Sequence, residues 1–270
     1  LKSIRGADLY YSLPLDKKRL YLQFYLKGLI EIISSYIVVY ILGFLGIVVK
    51  GYQLDLIYYI PLFFLLLVGV SLYYTFNVFI FSKANKTIDG IIFIILYMIL
   101  PLLLYLLYAK ISLELFKADV SFMSLDAVMP TGMISFPGDF FALLIEKRSY
   151  NNYFDSSWGF IVMWYVISIG VGALMLFYPK AHKPEKVQSK SDSWFGYRVL
   201  IPLFLFTMTV TLTELSDYIG VYLILVFSFL LIAYIGYVIY ERKFKISIKS
   251  LLVLLTTTLL GILVAGILSM

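Results

Sequence analysis

Seven stretches of the chain consist almost entirely of apolar residues, and polar or charged segments separate them. In order along the chain they are residues 30–49, 57–81, 91–109, 158–177, 199–212, 219–240 and 251–270. About 20 apolar residues in an α-helix cross the roughly 30 Å of hydrocarbon in a bilayer. The pattern therefore predicts about seven membrane-spanning helices. The fifth stretch is the shortest, and we expect it to be either extended by its flanks or the short, tilted half of a helical hairpin.

The composition supports this interpretation. Apolar residues make up 62% of the 270 residues and charged residues only 14%, whereas soluble domains are about half apolar and a quarter charged. The fold class we predict is all-α, a polytopic transmembrane helical bundle. The chain has no cysteine and a single histidine, His182, so disulfide frameworks, thiol chemistry and metal sites built from two imidazoles are excluded, and no metal site is expected.

The distribution of lysine and arginine predicts how the helices are oriented. Four segments carry 17 of the 22 basic residues, namely the start of the chain, the second-to-third loop, the fourth-to-fifth loop and the sixth-to-seventh loop. Basic residues accumulate in short cytoplasmic loops. We therefore expect a multi-pass protein of the plasma membrane whose start is cytoplasmic and whose end at Met270 is extracellular. The net charge of +6 then fits loops that face anionic headgroups, and no nucleic-acid partner is expected.

The same pattern divides the chain into segments. Residues 1–29 form a cytoplasmic segment that leads into span one, for which the resemblance described below implies a coupling role, and residues 30–109 form spans one to three. Residues 110–157 are an outer segment in which breakers such as Pro130 and Gly132 favour short interfacial or re-entrant helices. Residues 158–177 are span four, 178–198 a cytoplasmic polar linker, and 199–270 spans five to seven. Because the chain begins with Leu1 and the last span has no polar exit, we expect it to be a fragment or a trimmed chain.

The cytoplasmic start contains a short amphipathic segment followed by a basic collar. Leu9, Tyr10 and Leu13 give it an apolar side, Pro14 ends it, and the next helix is predicted to begin at Lys17 and to run into span one. One interpretation is an interfacial helix that lies among the headgroups. The other is a docking element, an apolar knob flanked by charge that a soluble partner grips.

The sequence ADLYYSLPLDKKRL resembles a segment of ABC-2-type, Ytr-like permease subunits of Gram-positive bacteria, some of which are related to peptide-toxin exporters. The resemblance implies that this segment is a coupling helix that contacts an ATP-binding-cassette ATPase subunit. ATP and Mg are then expected on that partner, with none bound by this chain, and a second permease subunit, identical or related, is expected beside it. The family's early spans are absent from this chain. The implied contact residues are Ala7, Asp8, Leu9, Tyr10, Tyr11, Ser12, Leu13, Pro14, Lys17, Lys18 and Arg19.

Charged residues near membrane depth are candidates for a substrate path, because an unpaired charge in hydrocarbon is costly. Lys27 and Glu31 are four residues apart and share one helix face, as a mutually neutralising pair or as part of a gate. Glu214 and Asp217 lie in the outer turn between spans five and six, as a solvated turn or as an attractor for a cationic substrate. Asp89 falls in the first turn of span three, where a carboxylate stabilises a helix end.

The resemblance implies a permease subunit of an ATP-binding-cassette transporter, and the shortage of buried charge suits the export of an amphipathic or hydrophobic substrate such as a peptide. The chain has no GxxxxGK[ST] motif, so any ATP hydrolysis is expected in a partner subunit, and we expect this chain itself not to be an enzyme. The alternative is an ATP-independent secondary transporter or channel, for which the acidic residues of the substrate path would be essential. A third class is a membrane protein that binds a signalling partner through its cytoplasmic helix.

Overall fold

A computed structural model describes residues 17–51, 56–117, 125–146, 152–177, 189, 191, 193–211 and 218–268. Helices and short turns account for these residues, and none of them lies in a β-strand. The all-α prediction is therefore confirmed for the described part of the chain. The helices are α1 (Lys17–Val49), α2 (Leu56–Ser82), α3 (Thr87–Phe116), α4 (Leu125–Val128), α5 (Gly132–Glu146), α6 (Asn152–Phe177), α7 (Tyr197–Thr211), α8 (Ile219–Glu241) and α9 (Ile248–Leu268).

Within the described ranges, six helices are long and apolar enough to cross a membrane: α1, α2, α3, α6, α8 and α9. Many of their large apolar side chains are exposed, for example Ile30 at 65% and Val39 at 69%, as lipid-facing side chains are. These helices confirm the prediction of a multi-pass membrane protein. Helix α7 has 15 residues, which give it a length of about 22 Å, less than the hydrocarbon thickness.

The chain divides into two compact units whose segments alternate along the sequence. Unit 1 comprises residues 3–79 and 122–184, and unit 2 comprises residues 80–121 and 185–270. Unit 2 therefore takes α3 from the middle of the chain and combines it with α7, α8 and α9. The order of the spans in the sequence does not indicate this grouping.

In unit 1, α1 and α2 form an antiparallel hairpin held by a ladder of aromatic rings. The ring centroids of each facing pair lie 5.3 to 5.6 Å apart, and the pairs are Tyr25 with Tyr74, Tyr36 with Phe63, Tyr40 with Tyr59, and Phe44 with Tyr59. The hydroxyls of Tyr36 and Tyr40 donate to carbonyl oxygens of α2 at 2.9 and 2.7 Å. The hydroxyls are thus satisfied without water, and the hairpin has a fixed register.

The second part of unit 1 packs α4, α5 and α6 together. The indole Nε1 of Trp164 donates to the carbonyl oxygen of Val128 at 3.0 Å, which ties α6 to α4. Gly69 of α2 lies directly against the carbonyl oxygen of Met133, and a Cβ atom at position 69 would overlap that oxygen. Tyr165 also donates to this oxygen, at 3.3 Å. Glycine at position 69 therefore permits the close approach of α2 to the start of α5.

In unit 2, α7 contacts α3, α8 and α9. The closest approach is between α7 and α9, where a Cβ atom on Gly261 would lie 2.9 Å from Cβ of Thr209. Thr207 and Thr209 are fully buried, and each hydroxyl donates to a carbonyl oxygen one turn earlier in α7. These local bonds allow polar side chains to lie in an apolar interior.

Candidate functional site

The segment predicted to dock a partner is described only at its end. Ala7 to Pro14 lie outside the described residues, as do Glu214 and Asp217. Lys17 and Lys18 form the start of α1, and Arg19 is exposed on its next position. The predicted helix start at Lys17 is confirmed, because α1 runs without interruption from Lys17 to Val49.

Lys27 and Glu31 form the predicted pair on α1. The distance from Lys27 Nζ to Glu31 Oε1 is 4.0 Å, and the side chains are 75% and 67% exposed. An ion pair with this exposure contributes little to stability. The geometry matches the mutually neutralising pair of the sequence interpretation.

The most strongly connected polar group in unit 2 centres on Asp89, in the first turn of α3. Its carboxylate accepts hydrogen bonds from the Ser191 hydroxyl at 2.9 Å and from the Tyr197 hydroxyl at 3.2 Å. Arg242 Nη2 lies 3.8 Å from the same carboxylate. We call Asn85, Asp89, Ser189, Ser191, Tyr197 and Arg242 the basal cluster. It joins the start of α3, the end of the polar linker, the start of α7 and the end of α8.

Further bonds connect the linker to the turn before α3. The Asn85 backbone N–H donates to Ser191 Oγ at 3.0 Å, and its side-chain amide donates to Ser189 Oγ at 3.1 Å. Arg242 donates to the carbonyl oxygen of Ser189 at 2.8 Å. Arg242 itself has a left-handed backbone (φ 57°) and ends α8 with a bond from its N–H to the carbonyl of Val238. The end of α8 is thereby shaped to direct the guanidinium toward the linker.

The turn that enters α7 requires a glycine. A Cβ atom at Gly196 would lie 2.8 Å from the carbonyl oxygen of Ser191 and 3.0 Å from the ring of Phe93. With no side chain there, the Phe93 ring packs edge-on against Tyr197 at a centroid distance of 4.9 Å. This contact places the Tyr197 hydroxyl on the Asp89 carboxylate.

The electrostatics of the basal cluster stabilise the ionised Asp89 carboxylate and its hydrogen bonds. The Asp89 side chain is only 8% exposed, but two hydroxyl donors, a guanidinium and the N-terminal turn of a helix surround it. Tyr197 precedes the apolar stretch of α7; its burial, together with the adjacent Asp89 carboxylate, raises the pKa of its phenol, and Arg242 partly opposes this shift. The phenol therefore stays protonated and remains a donor. Searched over the described residues, the structure has no group of three or more side chains able to hold a metal ion.

The sequence indicated part of this arrangement. The position of Asp89 in a first helical turn is as predicted, but its hydrogen-bond partners lie 102 and 108 residues away, and no local pattern specifies them. Another buried charge that sequence reasoning did not select is Lys110 of α3, which is 3% exposed. Single charged residues within otherwise apolar helices, or at their ends, were the feature of the sequence that could have indicated these buried charges.

A second acidic residue, Glu241, organises the turn between α8 and α9. It is 7% exposed and accepts hydrogen bonds from the backbone N–H and the hydroxyl of Ser247, both at 2.7 Å. The hydroxyl of Ser250 donates to it as well. The carboxylate thus satisfies donors at the start of α9 and shapes the turn that follows Arg242.

Beside the basal cluster, unit 2 contains an apolar cavity of about 290 Å³ between α3, α7 and α8. Representative lining residues are Ile92 of α3, Ile201 and Phe204 of α7, and Ala233 and Gly236 of α8. Tyr197 also lines it, so one end of the cavity adjoins the basal cluster. An elongated apolar space with a polar group at one end suits an amphipathic molecule.

Comparison of the chain with protein families, with curated proteins and with solved structures finds no match.

Proposed function

We propose that this chain is the membrane-spanning permease subunit of an ATP-binding-cassette transporter that exports an amphipathic or hydrophobic substrate. The observation that carries the proposal is the continuity of α1. A single helix of 33 residues begins in the basic collar, within the segment that resembles the coupling helix of ABC-2-type permeases. It continues to Val49 without a break.

The length of α1 suits the transmission of a movement. Thirty-three residues form a helix about 50 Å long, compared with about 30 Å of hydrocarbon. Part of α1 therefore extends beyond the apolar layer, on the predicted cytoplasmic side. A partner that moves residues 7–19 would act on the end of this helix.

The aromatic ladder extends the movement to a second helix. Because Tyr36 and Tyr40 bond to the backbone of α2, a displacement of α1 is expected to displace α2 with it. In the proposed mechanism, closure of two ATP-bound partner subunits presses on the coupling segment and shifts the α1–α2 hairpin. ATP and Mg bind to those partners.

The apolar cavity supports the proposed class of substrate. Its lining is almost wholly apolar, and the described charges of unit 2 nearest to it, Asp89 and Arg242, neutralise each other. An amphipathic peptide or lipid-like molecule fits such surroundings better than a small ion does.

The test is co-purification of the full-length protein from its native membrane in mild detergent, with mass spectrometry and an ATPase assay of the eluate. We expect a stoichiometric ATPase with the wild type and its loss with Leu13→Asp. The matched control is Gln23→Asp, which introduces the same charge at an exposed position of α1 and should retain the ATPase.

Two outcomes would contradict the proposal. If Leu13→Asp retains the ATPase, the coupling segment is elsewhere. If all three proteins elute alone and reconstituted vesicles show flux that follows an ion gradient, the chain is an ATP-independent transporter or channel. A tag at Met270 is expected to be labelled from outside intact cells, and protection of that tag would contradict the orientation.

A further inference from the structure

The apolar cavity of unit 2 continues along the helices toward the predicted cytoplasmic side. On α8 its lining extends from Phe229 to Ile239, ten residues along the helix, which corresponds to about 15 Å. At Gly236, α8 packs closely against α7, because a Cβ atom there would lie 3.2 Å from Cδ1 of Ile201. The lining therefore extends over about three turns of α8.

Exposed apolar side chains border one side of this cavity. Leu200 and Leu205 form its floor and are 1% and 2% exposed, whereas Ile232 and Ile235 at its edge are 60% and 56% exposed. A molecule in the bilayer can enter sideways without crossing water. A volume near 290 Å³ corresponds to roughly ten groups the size of a water molecule or a methylene.

The end of the cavity next to Tyr197 and Ile239 lies beside a basic rim. Lys243 and Lys245 follow Ile239 within six residues, and both are exposed. The two acidic residues that the structure describes in this region, Asp89 and Glu241, are buried and already accept hydrogen bonds. Among the described residues, the accessible charge at this end of unit 2 is therefore positive.

Exposed aromatic residues mark the same end of unit 2. Trp194 and Phe244 are 82% and 90% exposed, and they lie in the turns before α7 and after α8. Phe195 lies in the turn before α7, and Lys83 Nζ is 5.7 Å from the centroid of its ring. Exposed aromatic and basic side chains together are typical of the headgroup layer of a membrane.

We propose that unit 2 binds an anionic phospholipid of the cytoplasmic leaflet, with one acyl chain in the cavity and the phosphate at the rim of Lys243 and Lys245. Lipid tails are as apolar as the lining, so the apolar contact alone does not favour this molecule over other lipids. Selectivity comes from the headgroup, because each basic side chain near a membrane surface attracts anionic lipid. The proposal goes beyond the proposed function and holds whether or not the chain pairs with an ATPase.

The experiment is photo-crosslinking of the full-length protein in lipid nanodiscs, followed by peptide mapping. The probes are two phospholipids with a diazirine in the middle of one acyl chain, one with an anionic glycerol headgroup and one with a zwitterionic choline headgroup. We expect the anionic probe to label peptides of α3, α7 and α8 preferentially. Unlabelled anionic lipid should compete with it on the wild-type protein.

Three variants locate the site. Ala233→Phe fills the cavity and should reduce labelling by the anionic probe to the level of the zwitterionic probe. Leu231→Phe, at a position of the same helix that is 46% exposed and outside the lining, should label as the wild type does. Replacing Lys243 and Lys245 with glutamine together should reduce the preference for the anionic probe by roughly ten-fold or more.

The proposal is overturned if both probes label the wild type equally, if labelling spreads evenly over all helices, or if a second copy of the chain crosslinks across the cavity in place of lipid. Competition on the wild type keeps the test decisive if Ala233→Phe does not fold. None of these measurements involves an ATPase, so their outcome is separate from that of the co-purification.

Discussion

Replacing Asp89 with leucine is the sharpest test of the basal cluster. Leucine has a similar size but removes the acceptor of the Ser191 and Tyr197 hydroxyls and the counterion of Arg242. Hydrogen bonds to a charged acceptor contribute about 1.5 to 3 kcal/mol each. The ion pair adds little, because Arg242 is 30% exposed and 3.8 Å from the carboxylate.

Part of the loss is offset, because the variant no longer buries a carboxylate. We therefore expect the free energy of opening the linker and the start of α7 to fall by about 3 kcal/mol, which corresponds to about 100-fold faster exchange of the amides that this opening exposes. Hydrogen exchange measured by mass spectrometry on the peptide of residues 193–200 reports it directly. That peptide contains the amides of Gly196 and Leu200, which are hydrogen-bonded within the turn and the first turn of α7.

The control is Arg242→Gln, which keeps a donor near the Ser189 carbonyl and should accelerate exchange by no more than about ten-fold. If Asp89→Leu exchanges at the wild-type rate in residues 193–200 while the protein remains folded, the cluster does not hold the linker and the reasoning is wrong.

The remaining predictions concern packing and a surface ion pair. Each is tested by the change that a substitution causes in the midpoint of thermal unfolding in detergent. Gly196→Ala should destabilise unit 2 by about 1 to 3 kcal/mol, because its Cβ has no room in the turn before α7; an unchanged midpoint would show that the turn relaxes freely. Gly69→Ala should cost a similar amount in unit 1, whereas Gly170→Ala, with open space around its Cβ, serves as the tolerant comparison. Lys27→Ala should change stability by no more than about 0.5 kcal/mol, since the Lys27–Glu31 pair is exposed, and a larger loss would show that the pair has a buried partner.

The helices follow from the sequence because their causes are local. Apolar runs of about 20 residues predict α1, α2, α3, α6, α8 and α9, and the break at Pro14 followed by a basic collar predicts the start of α1 at Lys17. The shortness of α7 was also visible, because its apolar run ends early. Charge and hydropathy are properties of neighbouring residues, so they can be read along the chain.

The candidate site depends on contacts that the sequence does not specify. Asp89 meets side chains more than 100 residues away, and single serines and tyrosines carry no pattern that indicates such a partner. The grouping of α3 with α7 is likewise a matter of packing between apolar surfaces, for which many residue combinations are equivalent. The residues selected for docking, Ala7 to Pro14, remain a prediction.

The grouping of α3 with the last three helices has a consequence for how the protein is made. A ribosome that adds about 5 to 20 residues each second reaches Tyr197, 108 residues after Asp89, only about 5 to 20 s after Asp89 is synthesised. During that interval α3 is already in the membrane without the helices it will pack against. Its carboxylate lies in the first turn of the helix and can remain hydrated in the headgroup layer. The delay therefore does not leave an unpaired charge in lipid. Assembly of unit 2 is therefore completed late in synthesis. The Asp89 carboxylate becomes buried only when the linker, α7 and the end of α8 have been synthesised.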